Sequence, residues 1–130
     1  RAGDVIRRRG ENVSSAHLET LLRELPGVAE VAVCAVPAPL GDDDIKACLV
    51  ETHRGAIEPM LIFDYLRDRV AYFAMPRFVH LHQALPVNAL GRVMKAPLRQ
   101  EGIPSECWDF ERLGLVIPAS ERRGRAAARS

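Results

Sequence analysis

Apolar residues change their spacing several times along the chain, and each change marks an element. Val5–Arg8 reads as a short strand, Gly10–Glu11–Asn12 as a turn, and Val13 as the return strand. Leu18, Leu21, Leu22 and Leu25 then follow the i, i+3, i+4, i+7 rhythm of a helix, capped by Ser14 or Ser15 and stopped by Pro26–Gly27. Val28–Val36 is β-branched and apolar on both faces, the pattern of a buried strand. After the loop "PAPLGDDD", the run "IKACLVE" predicts a second strand with Ile45, Ala47 and Leu49 on one face. Glu58–Pro59 opens a second helix with a stripe of Ile62, Leu66, Val70 and Phe73, and Pro76 lies just beyond its end. "RFVHLHQAL" predicts a third strand. Beyond the loop Pro86–Gly91, the segment Arg92–Arg99 predicts a turn leading into a short helix limited by Pro97. The order is hairpin, α, β, β, α, β, α: an α+β domain with a small mixed sheet, a leading β-hairpin and helices packed on it.

Composition narrows the function classes. At 130 residues the chain is long enough for one real core, and its 48% hydrophobic and 27% charged residues are those of a globular domain. A net charge of +1 does not steer nucleic acid or membrane. No apolar run approaches the roughly 20 residues of a membrane span, and no signal-peptide pattern opens the chain. It begins with Arg1 rather than Met, which leads us to expect a piece of a longer protein, and residues 118–130 read as a basic, frayed tail. Cys34, Cys48 and Cys107 are far apart with no CxxC pair, so no disulfide framework or structural zinc is expected, in keeping with a cytoplasmic setting. His80 and His82 share one strand face without an evident third ligand, and we read them as facing solvent; no metal is expected. The bases are sixteen Arg against only Lys46 and Lys95, so a reaction that needed a lysine would have two candidates.

Several ordered motifs carry a resemblance. "RAGDVIRRRGENVSSAHLETLL" is similar to the hinge and following loop of the adenylate-forming superfamily of acyl-CoA synthetases, peptide-synthetase adenylation domains and luciferases. "LPGVAEVAVCAVPAPLGDDDIKACLV", "YFAMPRFVHLHQALP" and "LGRVMKAPLR" match that family's C-terminal domain in the same order. "RRRGENVSS" and "EGIPSECWDFERLG" most resemble bacterial enzymes of the crotonobetaine/carnitine-CoA ligase type, so that the likeness runs from Arg1 to about Gly114.

The resemblance implies that residues 1–117 are the mobile C-terminal domain of an acyl-CoA ligase whose large N-terminal adenylation domain, its partner, lies outside this chain. Such enzymes use Mg-ATP to convert a small carboxylic acid to an acyl-adenylate, then pass the acyl group to coenzyme A. The family's adenylation lysine follows the loop glycine; here that position is Arg92, after Gly91, with Lys95 as a less direct substitute. A fixed cation there stabilises charge developing between carboxylate and α-phosphate. Gly10 falls where the family passes pantetheine beside a residue without a side chain, Arg1 at the nucleotide-contacting arginine, and Arg7 and Arg8 where phosphates are held. Gly3 falls at the hinge pivot, before Asp4.

Blander roles stand beside these. Arg7–Arg9 equally suit a solvated strand edge, Gly10 a plain hairpin turn, Lys46 a surface strand position and Lys95 a surface cation after the turn. Trp108 and Phe110 are expected to anchor the C-terminal segment. From a different class, "RRRG" and "ERRGRAAAR" suggest a polyanion- or RNA-binding module, against which stand the near-zero net charge and the absence of stacking aromatics in the basic runs.

Overall fold

The computed structural model describes residues 5–38 and 41–118, so Arg1, Gly3, Asp4 and most of the tail fall outside the described residues. Strands β1 (Val5–Arg8) and β2 (Glu11–Ser14) form the leading antiparallel hairpin, with Ile6 and Val13 paired and both buried. Its two-residue turn places Arg9 at φ 53° and Gly10 at φ 77°, the left-handed pair that matches strand twist. Ser14 caps helix α1 (Ser15–Arg23) by accepting a hydrogen bond from the His17 amide at 3.1 Å.

The main sheet has the order β3 (Val28–Pro37), β4 (Asp43–Glu51), β5 (Phe78–Leu81), β6 (Trp108–Asp109). β3 and β4 are antiparallel, β4 and β5 parallel, and β5 and β6 antiparallel, a mixed sheet that bears out the α+β reading. Helix α2 (Pro59–Arg67) and a single 3₁₀ turn at Tyr72–Ala74 make the crossover between the parallel strands. α2 stops before Val70 and Phe73: Val70 is buried beyond the helix end, and Phe73 belongs to the 3₁₀ turn. The third strand is also shorter than expected, ending at Leu81, and β6 was not foreseen because two residues carry no periodicity.

Each face of the sheet has its own cover. Val33, Ala47, Leu49 and Val79 pack with Leu18 and Leu22 of α1 and Ile62 and Leu66 of α2 in the principal core. Phe110 joins it, edge to face with Phe63, as the expected anchor of the C-terminal segment. On the other face Ala32, Cys34 and Cys48 meet Leu85 and Leu98, the latter from the short helix α3 (Lys95–Gln100). This second cover corrects two expectations. Lys46, read as a surface residue, is 0% exposed, and His80, read as facing solvent, is 5% exposed. Both project from the face that α3 and the segment after it close over.

Candidate functional site

The chain leaves the sheet after β5 and returns as α3, and the apex of this excursion is the loop before Arg92. Asn88 organises it. Its side-chain oxygen accepts from the amides of Leu90 at 2.9 Å and Arg92 at 3.0 Å, and its backbone N–H donates to the Arg92 carbonyl at 2.9 Å. Gly91 takes φ 81°, and an added Cβ there would meet nothing within 4 Å, so the turn's backbone rather than crowding calls for glycine. Val87 bridges Val93 across the loop, and the Met94 amide donates to the Pro86 carbonyl at 2.8 Å. Arg92 is exposed beside Leu90, itself 82% exposed, and its guanidinium makes no hydrogen bond or ion pair among the described residues. The loop therefore presents an uncommitted cation on a braced backbone.

Lys95 is placed differently. Its ammonium lies 2.8 Å from a Glu19 oxygen and 3.4 Å from the Ser15 hydroxyl, which ties the start of α3 to α1. Glu19 also accepts from the Val33 amide at 2.9 Å, so one carboxylate joins α1, β3 and α3.

The other candidate residues lie at the β1–β2 turn. Arg7 donates to the Asn12 side chain at 3.0 Å. Arg8 is 6% exposed and turned inward: it donates to the Phe73 carbonyl at 3.1 Å and sits 3.5 Å from Asp44. Burial, and then neighbouring Arg9, lower its pKa, while Asp44 and Glu111 work the other way. Asp44 is shared with Arg77, whose guanidinium also donates to both oxygens of Asp109 at 3.1 and 3.2 Å. Arg9 reaches Glu111 at 3.8 Å. A Cβ added to Gly10 would meet nothing within 4 Å, so any passage that it keeps open lies toward a surface outside this domain. With Arg8 and Arg9 paired to acids, the polyanion-binding reading finds no support.

The least expected constellation is on the second sheet face. Lys46 donates to the Leu98 carbonyl at 2.8 Å and to Glu101 at 2.9 Å. The same Glu101 oxygen lies 3.1 Å from His80 Nδ1 and 2.8 Å from His82 Nε2, and His80 Nε2 is 3.2 Å from Glu106. Burial opposes ionisation of Glu101, but the hydrogen bonds and charges of Lys46 and His82 outweigh it and hold the carboxyl down to about 2. Cys48, His82 and Glu101 bring one possible ligand atom each within 4.8 Å of one another, a group that includes His82 but not His80 of the pair singled out in the sequence. The cation in contact with that carboxylate is Lys46 itself. The thiols divide: a hydrogen bond with Cys34, and then burial, push Cys48 up, and burial pushes Cys107 up to about 11, while the same hydrogen bond lowers Cys34, which is itself buried under the second cover. Sequence reasoning missed Asn88, Glu19, Lys46 and Glu101. One signal was available, since "IKACLV" is too apolar around Lys46 for an edge strand.

A small mixed sheet with a leading hairpin and a basic loop before a short helix defines a class, and the comparisons agree with it. Residues 17–92 match the family described as AMP-binding enzyme C-terminal domain, and the chain belongs to that family. It is 33% identical over 99 residues to crotonobetaine/carnitine–CoA ligase of Proteus mirabilis, covering 76% of this chain and 19% of that protein. Among solved structures it resembles a Mycobacterium tuberculosis fatty acyl CoA synthetase, with TM-score 0.74 and 31% identity over 80% of this chain and 21% of that one. ATP-bound MatB from Rhodopseudomonas palustris gives TM-score 0.73 and 31% identity over 78% of this chain and 20% of that one. The chain thus spans about a fifth of the length of the relatives it matches. No helix among the described residues is long and apolar enough to cross a membrane.

Proposed function

We infer that residues 1–117 act as the mobile C-terminal domain of an ATP-dependent acyl-CoA ligase, working against a large adenylation domain in the cytoplasm. The substrates in this reading are Mg-ATP, a small carboxylic acid and coenzyme A; the products are an acyl-adenylate and pyrophosphate, then an acyl-CoA thioester and AMP. The observation that carries the reading is the loop at Asn88–Arg92, inside the region of family likeness, which holds an unpaired guanidinium on a backbone braced by four hydrogen bonds. A preorganised cation of this kind stabilises charge developing as carboxylate attacks phosphate, without reorganising when the reaction occurs. Arg7 and Gly10 of the β1–β2 turn serve the second step, Arg8 holds that turn from beneath instead of reaching phosphate as the resemblance implied, and Arg1, Gly3 and Asp4 serve nucleotide contact and the hinge.

Arginine keeps the charge of the family's lysine but spreads it over a longer, planar group. A displacement of about 1 Å at a reacting centre costs on the order of 100-fold in rate. In the full-length ligase, Arg92→Lys is therefore expected to speed pyrophosphate release across a panel of acids, and to leave thioester formation from synthetic acyl-adenylate unchanged. A variant with no faster adenylation would overturn the account of Arg92 as a serviceable but displaced cation.

A further inference from the structure

Two residues close the base of the excursion that carries Arg92. His82 lies just after β5 on the outgoing arm, and Glu101 caps α3 on the returning arm. Nineteen positions apart in sequence, they meet at 2.8 Å. Lys46 rises from the sheet beneath them and donates to the same Glu101 oxygen at 2.9 Å and to the Leu98 carbonyl, one turn back in α3, at 2.8 Å. Leu98, 2% exposed, packs between these contacts against the second face. The far end of α3 is held independently by Lys95 on Glu19. Both lysines of the chain thus fix the one short helix that follows Arg92.

We propose that Lys46, Glu101 and His82 are positioning residues for adenylation: a clasp, built on a buried lysine and open to solvent at Glu101, that sets the depth and tilt of α3 on the sheet and thereby the place of Arg92. A lysine wholly out of water gains little net stability from an ion pair over a well-packed apolar residue of its size. What the pair supplies is direction, because Lys46 can meet both Leu98 O and Glu101 only when α3 occupies one position. The route to Arg92 is short and stiff. Gln100 to Lys95 are helical, Met94 is hydrogen-bonded to Pro86, and Arg92 is bonded through Asn88. No side chain of the clasp touches substrate in this scheme.

The functional half of the inference rests on the ligase reading; the mechanical half does not. The test combines Lys46→Met, which keeps the apolar stem and removes the donors, with Glu101→Gln and Glu101→Ala. Hydrogen exchange is measured on this chain at the amides of Leu90, Arg92, Glu101 and Gly102, and the two half-reactions are measured in the full-length ligase. Lys46→Met is expected to speed exchange at all four amides and to lower kcat for adenylation at least about tenfold, since a shift well below 1 Å suffices. Little change is expected in KM for ATP, and none in thioester formation from supplied acyl-adenylate. Glu101→Gln still offers Lys46 an acceptor and is expected to lose less than Glu101→Ala. Unchanged exchange at the loop amides overturns the clasp whatever the ligase does. Faster exchange with an equal loss of both half-reactions, or with adenylation within twofold of the parent, overturns its role in positioning Arg92. Should Arg92→Ala adenylate normally, the reading of Arg92 fails separately, and exchange alone then decides whether the clasp holds the loop.

Discussion

Two glycine turns in this domain carry arginines, and the chain treats them oppositely. At Arg8–Arg9–Gly10 the charges are already engaged: Arg8 with Asp44 and the Phe73 carbonyl, Arg9 with Glu111. At Gly91–Arg92 the internal hydrogen bonds fall on the backbone, through Asn88, and the guanidinium is left exposed. The two turns share left-handed glycines, at φ 77° and 81°, with open space where a side chain would go. Arg8 is buried beside Asp44, while Arg9 stays exposed and reaches Glu111 only at 3.8 Å. Arg92 is exposed and unpaired among the described residues while the peptide beneath it is fixed, the arrangement that the proposed function requires of a cation meeting an anionic ligand. Turn chemistry alone therefore does not separate committed from uncommitted arginines; the partners of the side chain do.

Under the ligase reading, the largest test of this contrast is Arg92→Ala in the full-length protein. Adenylation is expected to fall by about 10²–10³-fold, the usual cost of removing one preorganised charge-stabilising group. The domain's midpoint in chemical denaturation should not move. A comparable fall in thioester formation from supplied adenylate would erase the distinction between the turns.

Arg8→Met should do the reverse. Removing one partner of a buried pair leaves Asp44 short of a counter-charge, at a cost of about 2–3 kcal/mol, held to the low end because Arg77 still faces that carboxylate. Urea unfolding of the 130-residue chain measures this. A loss under about 0.5 kcal/mol would mean that Arg8 behaves as a surface arginine.

A third expectation concerns acid. Glu101 is held down to about 2 from an ordinary 4.5, so the folded state binds its proton less readily than the unfolded chain. Its contribution to stability is full above about 4.5 and is lost as pH falls toward 2. Lys46→Met, which removes the main hydrogen bond lowering that carboxyl, should flatten the acid limb of a stability–pH curve in this window. An unaltered acid limb would show that Glu101 keeps its proton affinity without Lys46.

The smallest effects come from the glycines. Gly10→Ala and Gly91→Ala should each destabilise by about 1 kcal/mol, from the left-handed backbone alone. Their stability costs should agree while their kinetic effects diverge, Gly10→Ala slowing thioester formation and Gly91→Ala slowing adenylation. Equal slowing of both steps by either variant would remove the division of labour.

Much of the scaffold was legible because periodicity reports which positions are covered. The leading hairpin, the Ser14-capped helix, the two long strands and the short helix after Arg92 all emerged close to their observed bounds. Elements set by few residues did not: β6 has two, and the crossover's 3₁₀ turn three. Arg92 and Lys95 could be singled out by resemblance, but their environments could not, because Glu19 and Lys95 face each other across most of the chain.

The sequence by itself determined the order of the longer elements, the α+β class and the family, since all three follow from local spacing and ordered motifs. Tertiary structure decided which charges are spent. Lys46 reads as a solvent-facing strand residue until a helix and its cap, 52 and 55 positions later, close over it. His80 and His82 read as an exposed pair until the same segment covers them. Periodicity can show that a position has a face, but the partner on that face is chosen by packing between segments far apart in the chain, and for a charged group that partner settles whether it holds the fold or meets a ligand.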